Sequence, residues 1–181
     1  GLLDRGKPDD LIALQRSAAL KNELPRVIRP DLLLTDTGIS VTELDSVPGG
    51  IGLMAWLNQT YSKLNESPVQ GPMSKVIGGA DGMLRGFASI FGDAKRVRII
   101  VSEEAATYRP EMRWVAEQLG PRFTVHDAGF NDFADGDAVY RFFELFDLAN
   151  VANADRIFEL VQKKRIRLTP PPKPLFEEKM L

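Results

Sequence analysis

The 181-residue sequence predicts an α/β fold, a mostly parallel sheet flanked by helices. Three observations predict it. Residues 96–101 are an apolar run of buried-strand length, and 122–126 form a second such run. Between them, Met112, Val115, Ala116 and Leu119 recur at helical spacing over 109–119, so the three segments make a strand–helix–strand unit. That unit requires parallel strands and a right-handed crossover. Finally, 44% apolar and 27% charged residues are ordinary globular proportions, which excludes a disordered chain, a collagen-like chain and a coiled coil.

The elements follow in order. Pro8, Asp9 and Asp10 open a helix over 9–23 that Pro25 ends, with Leu11, Leu14 and Ala18 inward. Residues 31–36 and 39–44 read as two strands joined at Asp36-Thr37-Gly38, where glycine tolerates a positive φ, and one or both are expected in the sheet. After the break at Ser46–Gly50, a helix over 51–64 places Leu53, Leu57, Tyr61 and Leu64 on one face. Residues 65–72 read as a loop. Residues 74–91 read as a glycine-rich helix whose closely spaced glycines suit a tight helix contact or a lid. Pro110 sits in the first turn of the 109–119 helix, and Gly120-Pro121 stops it. Residues 137–148 fit a helix (Val139, Phe142, Phe143, Phe146) and a strand (138–142) equally. Asn153 caps a helix to about 164, and 166–168 form a short strand. The prolines after Thr169 predict a stiff extended connector that leaves the globule.

Charge and composition exclude several functions. Lys and Arg number 23 against 25 Asp and Glu, which gives no electrostatic case for nucleic acid or an anionic membrane surface. Lys163-Lys164-Arg165 reads as a solvated helix end. With no cysteine and one histidine, there is no disulfide framework, no thiolate nucleophile and no zinc site built on several imidazoles. No apolar run approaches ~18 residues, so no membrane span is expected, and a cytoplasmic location fits best. The lack of an initiator Met and the start of an apolar helix at 177–181 predict a piece of a longer chain.

In open α/β sheets, ligands bind outside the carboxyl ends of the strands. The polar residues just past each strand are therefore the candidates for substrate contact: Glu43, Asp45 and Ser46; Ser102, Glu103 and Glu104; and His126. Glu43 and Asp45 alternate with Leu44, so both carboxylates face one side of an extended strand. Such a pair suits an ammonium group or, with a second domain, a metal ion. It equally suits a solvated strand end with a capping aspartate. Gly49 and Gly50 lead into a helix, where exposed N–H groups favour an anion, or they serve only as a tight turn. His126 reads as a hydrogen-bonder or a ligand contact. Trp114, off the apolar stripe of its helix, suits an inter-domain contact or simple half-burial.

Several of these segments, in this order, resemble ATP-grasp proteins of the glutathionylspermidine synthase-like group. Residues 29–34 and then 41–50 resemble that group's E-(I/L/F)-N/D-…-P segment. Val101–Glu104 with Tyr108–Met112 resembles the strand and helix that follow. Val139–Leu145 and Arg167–Lys179 resemble the end of its pre-ATP-grasp domain. The resemblance implies a Rossmann-like pre-ATP-grasp domain over 1–168, with 169–181 connecting to an ATP-grasp domain outside this chain. It implies the substrate-binding part of an ATP-dependent carboxylate–amine or carboxylate–thiol ligase, not catalytic by itself. ATP and Mg²⁺ would be held by the other domain, with no cofactor in this chain and an amino acid or peptide-like substrate. Glu43, Asp45 and the Pro48–Gly50 turn would form a substrate-facing wall. Asp45 stands where the group more usually has Asn, so substrate specificity is not carried over. The rival reading is a non-catalytic small-molecule-binding or interaction domain of Rossmann-like fold.

Overall fold

A computed structural model describes residues 2–65 and 76–177. Its centre is a four-stranded, all-parallel sheet in the order β4-β3-β5-β6, built from β3 (Val97–Val101), β4 (Phe123–Asp127), β5 (Ala138–Phe142) and β6 (Arg167–Thr169). Strands covered on both faces must be apolar on both faces, which is why β3 and β5 alternate so little. Val97, Ile99 and Val101 enter one core with Phe87, Phe91, Met112 and Val115. Ile100 enters the opposite core with Leu20, Ile157 and Leu160. Each fully buried aliphatic side chain of this kind contributes about 1.5–3 kcal/mol.

Helices cover both faces. The first core is roofed by α2 (Ile51–Asn65), α3 (Gly82–Ser89) and α4 (Arg109–Leu119), and the second by α1 (Asp9–Arg16) and α5 (Ala154–Gln162). The strand–helix–strand unit is present as read, through α4. The segment 137–148 resolves as strand β5 followed by a short 3-10 turn over 145–150. Asn153 sits before α5, but its side chain does not cap the helix; its Nδ2 donates to the carbonyl of Phe130 at 2.7 Å.

Four expectations are corrected. The hairpin strands β1 (Arg29–Thr35) and β2 (Gly38–Asp45) do not join the parallel sheet; they form their own antiparallel ribbon, with every β1 residue exposed. The 9–23 helix stops at Arg16, because the chain turns at Ser17 to deliver Leu20 into the core at 1% exposure. The glycine-rich helix is confined to α3, since Gly78 and Gly79 take φ of 80° and 74°, which a right-handed helix cannot hold; residues 66–75 of that region lie outside the described ones. On α2, Leu53, Tyr61 and Leu64 face solvent, and Ile51, Gly52 and Ala55 face inward instead. Small residues win there because α2 and α4 approach closely: a Cβ on Gly52 would lie 2.7 Å from the carbonyl oxygen of Glu111.

The chain beyond Thr169 also behaves differently from the extended exit expected. Residues 169–174 are buried against the globule. The reason lies in Arg141, wholly buried in the middle of β5. Its guanidinium donates to the carbonyls of Pro170, Phe143 and Pro171 at 3.3, 2.5 and 3.3 Å and to Glu177 at 2.5 Å. A buried cation needs acceptors on every side, and the returning segment supplies them. Lys173 fastens the same segment by donating to the carbonyls of Lys21 and Glu23 at 3.0 and 2.5 Å. No helix among the described residues is long and apolar enough to cross a membrane.

Candidate functional site

The β3–α4–β4 unit runs to one side of the sheet over the first core, and β5–α5–β6 runs to the other side over the second. The carboxyl ends of the neighbouring strands β3 and β5 are therefore the point at which the helices change faces, where open α/β sheets leave a crevice. A cavity of about 290 Å³ occurs there. Ser102 N–H donates to the carbonyl of Phe142 at 3.4 Å and so joins the two strand ends.

Three groups of residues surround it. From the hairpin base come Arg29 and Asp45. From the loop after β3 come Glu104 and Ala105, then Tyr108. From the end of β5 come Phe142, Phe143, Glu144 and, further on, Phe146. Arg29 closes the base of the hairpin through ion pairs to Asp45 (3.2 Å) and Asp31 (3.3 Å) and reaches the turn after it by donating to the carbonyl of Gly49 (3.2 Å). Tyr108 and Phe142 meet edge-on at 5.4 Å. Gly49 lets Tyr108 sit there, since a Cβ would lie 2.5 Å from its ring.

The carboxylates of the cavity differ in state. Asp45 is nearly buried and committed, with one oxygen on Arg29 and the other accepting the Val47 N–H at 2.8 Å. It shapes the turn, so its replacement is not neutral to stability, contrary to what a solvated strand end would imply. Glu104 is exposed. Glu144 is half-buried, and its carboxyl is pushed up to about 8, first by burial and then by the hydrogen bond and charge of Glu177 beside it. Near neutral pH Glu144 therefore keeps its proton, beside Glu177. Glu177 is itself fixed by Arg141 and by the N–H of Leu145 at 2.7 Å.

The candidates read from the sequence separate accordingly. Asp45, Gly49 and Glu104 line the cavity together. Glu43 lies on β2 opposite Asp31, one alternation before Asp45. Ser46 is buried, its hydroxyl without a partner among the described residues. Ser102 is buried and accepts the Ala105 N–H at 3.2 Å, which orders the loop. Glu103 turns outward to Arg109 at 2.7 Å. Gly50 adopts φ 81°, and its N–H donates to Glu111 Oε1 at 2.8 Å, while Leu53 N–H donates to Oε2 at 3.2 Å. The anion favoured at the start of α2 is thus the chain's own Glu111.

His126 belongs to a different cavity, with Arg109, Arg113, Asp127 and Phe130. Its ring stacks on Phe130 at 3.7 Å and its Nε2 contacts Thr124 Oγ1 at 2.8 Å; burial, then Arg98, holds its pKa below the ordinary value. Trp114 is half-buried and walls a groove between α2 and α4 with Leu53 and Trp56. Arg29, Tyr108 and Glu144 were not singled out as site residues from the sequence. A signal for the Glu144 pair was present in Arg141, an arginine inside an apolar run that must recruit acceptors.

Among the described residues no group of three or more histidines or carboxylates is placed to hold a metal ion. No family model matches the chain, and neither does any curated protein or solved structure.

Proposed function

We propose that the crevice at the ends of β3 and β5 binds a small primary amine, in particular an amino acid or peptide-like molecule. The observation that carries this reading is the cavity itself. Glu104 and Glu144 line it beside the Arg29–Asp45 ion pair, with aromatic walls from Tyr108, Phe142 and Phe146. An ammonium group is stabilised by carboxylates and by ring faces alike. Arg29, half-exposed, can meet the ligand's carboxylate. As the ammonium arrives, Glu144 gives up its proton and becomes the counter-charge.

The Rossmann-like, pre-ATP-grasp reading supplies the wider role. This domain would present the amine of an ATP-dependent carboxylate–amine or carboxylate–thiol ligase, with ATP and Mg²⁺ held by a separate ATP-grasp domain. What supports it is the order of the resembling segments, together with Asp45 and Gly49 lying on the cavity wall.

Calorimetric titration with L-leucinamide and with N-acetyl-L-leucinamide tests the amine reading. The free amine is expected to bind and the acetylated one to fail, with Glu104→Gln weakening the amine about tenfold, the size of one charge-assisted hydrogen bond. Equal binding of both compounds would contradict it. A longer chain that carries this domain beside an ATP-grasp domain is expected to release ADP when amine and carboxylate are both supplied. Amine binding without ADP release would favour the non-catalytic binding domain.

A further inference from the structure

The chain has two tryptophans, Trp56 and Trp114, and both line one groove, of about 570 Å³, between α2 and α4. Gly52 brings α2 against the backbone of Glu111, where a Cβ would lie 2.7 Å from the carbonyl oxygen. Trp56 follows Gly52 by four residues and Trp114 follows Glu111 by three, so each stands about one helical turn from that contact. Tyr108, just before α4, adds a third ring to the lining. Trp56 and Tyr108 are 50% and 43% exposed, and Trp114 is half-buried.

The electrostatics of the groove are one-sided. Among the described lining residues Glu111 carries the only charge, with no Lys, Arg or His beside it. Its carboxylate is held in place, Oε1 accepting from Gly50 N–H at 2.8 Å and Oε2 from Leu53 N–H at 3.2 Å. The start of α2 offsets only about half a charge, so the groove stays negative. The rings add to that sign, since an aromatic face is the negative end of its quadrupole. The complement is a cation with little need of hydrogen bonds. A primary ammonium needs acceptors, and here they already serve two backbone N–H groups. A quaternary ammonium needs none: its methyl groups lie on ring faces, and its charge meets the carboxylate through space.

We propose that this groove binds a free small molecule with a trimethylammonium head, of the choline type. The head rests among Trp56, Trp114 and Tyr108, in the field of Glu111, and the alcohol end reaches the exposed Thr107. The site is separate from the amine reading of the rim cavity, with which it shares only the Tyr108 wall.

Because both tryptophans line the groove, intrinsic tryptophan fluorescence reports on it directly. Titration at constant chloride compares choline with two analogues. Dimethylbutanol, its carbon isostere, keeps the shape without the charge, and ethanolamine keeps the charge without the methyl groups. Choline is expected to shift the emission saturably and to bind about tenfold more tightly than either analogue. Trp56→Leu is expected to weaken choline about fivefold with the melting temperature retained and Trp114 still reporting, and Trp56→Phe to restore part of the affinity. Glu111→Gln is expected to remove the margin of choline over dimethylbutanol. That change also touches the start of α2, and if it prevents folding, the margin in the unaltered chain decides. Equal binding of choline and dimethylbutanol, a preference for ethanolamine, or no saturable shift with choline would overturn the inference. So would a shift with phosphatidylcholine vesicles and none with free choline, which would make the occupant a membrane headgroup.

Discussion

The parallel sheet and the hairpin are made of similar residues and live in opposite surroundings. Val97–Val101 carries four aliphatic residues, all wholly buried. Leu32, Leu33 and Leu34 of the hairpin are 53%, 56% and 78% exposed. Their cross-strand partners Val41 and Ile39 are exposed as well, so Leu32, Leu34, Ile39 and Val41 form one apolar face with nothing described against it. The two regions teach that strand formation and burial are separate events. Backbone pairing and a glycine turn suffice to make the ribbon, whereas burial requires helices on both faces, and only β3 to β6 have them. The hairpin keeps its place through Arg29 at its base, which is also the edge of the rim cavity.

The contrast can be broken at four points. The largest effect is expected at Arg141→Ala, which leaves Glu177 buried without its cation and strips the returning segment 170–177 of its anchor. A loss of about 3–5 kcal/mol in urea denaturation is expected, with faster proteolysis after Thr169. Next comes Ile99→Ala in the sheet, expected to cost about 2–5 kcal/mol by opening a cavity in the first core.

The third effect is a pH dependence from the rim. The Glu144 carboxyl, ordinarily 4.5, is raised to about 8 in the folded chain. The folded state therefore holds a proton that the unfolded chain has lost. This contribution is complete below pH 4.5 and lost as pH rises through about 8. Melting temperature measured across that window is expected to fall with rising pH, and Glu144→Gln is expected to flatten the slope. The smallest effect is expected in the ribbon: Leu34→Thr should change stability by no more than about 0.5 kcal/mol. If Leu34→Thr cost as much as Ile99→Ala, the exposed face would be a covered one, and the contrast would fail.

The same contrast explains what the sequence could tell. β3, β4, α4 and α5 were legible because burial on defined faces leaves a period that survives in the residues. The hairpin strands were legible as strands but not as outsiders to the sheet, because no local pattern in Leu32–Leu34 records whether a helix lies over it. On α2, periodicity pointed to Leu53, Tyr61 and Leu64, but the contact face is set by Gly52 and Ala55, whose value lies in being small. The rule that ligands gather past strand ends found Asp45, Gly49 and Glu104. It also drew in His126, Ser102 and Gly50, which sit at strand or helix ends but answer to other partners. Glu144 was hidden because its segment read equally as helix and strand, and because Glu177, which shifts its proton affinity, lies 33 residues away in sequence.

If the rim cavity is the amine site proposed above, an incoming ammonium is expected to displace the proton that Glu144 carries near neutral pH. Calorimetric titration with L-leucinamide at pH 7, repeated in two buffers of different ionisation enthalpy, measures that displacement directly. The predicted result is binding with net proton release in the unaltered chain, and binding without release in Glu144→Gln. Identical heats in the two buffers, or proton release that survives Glu144→Gln, would contradict it.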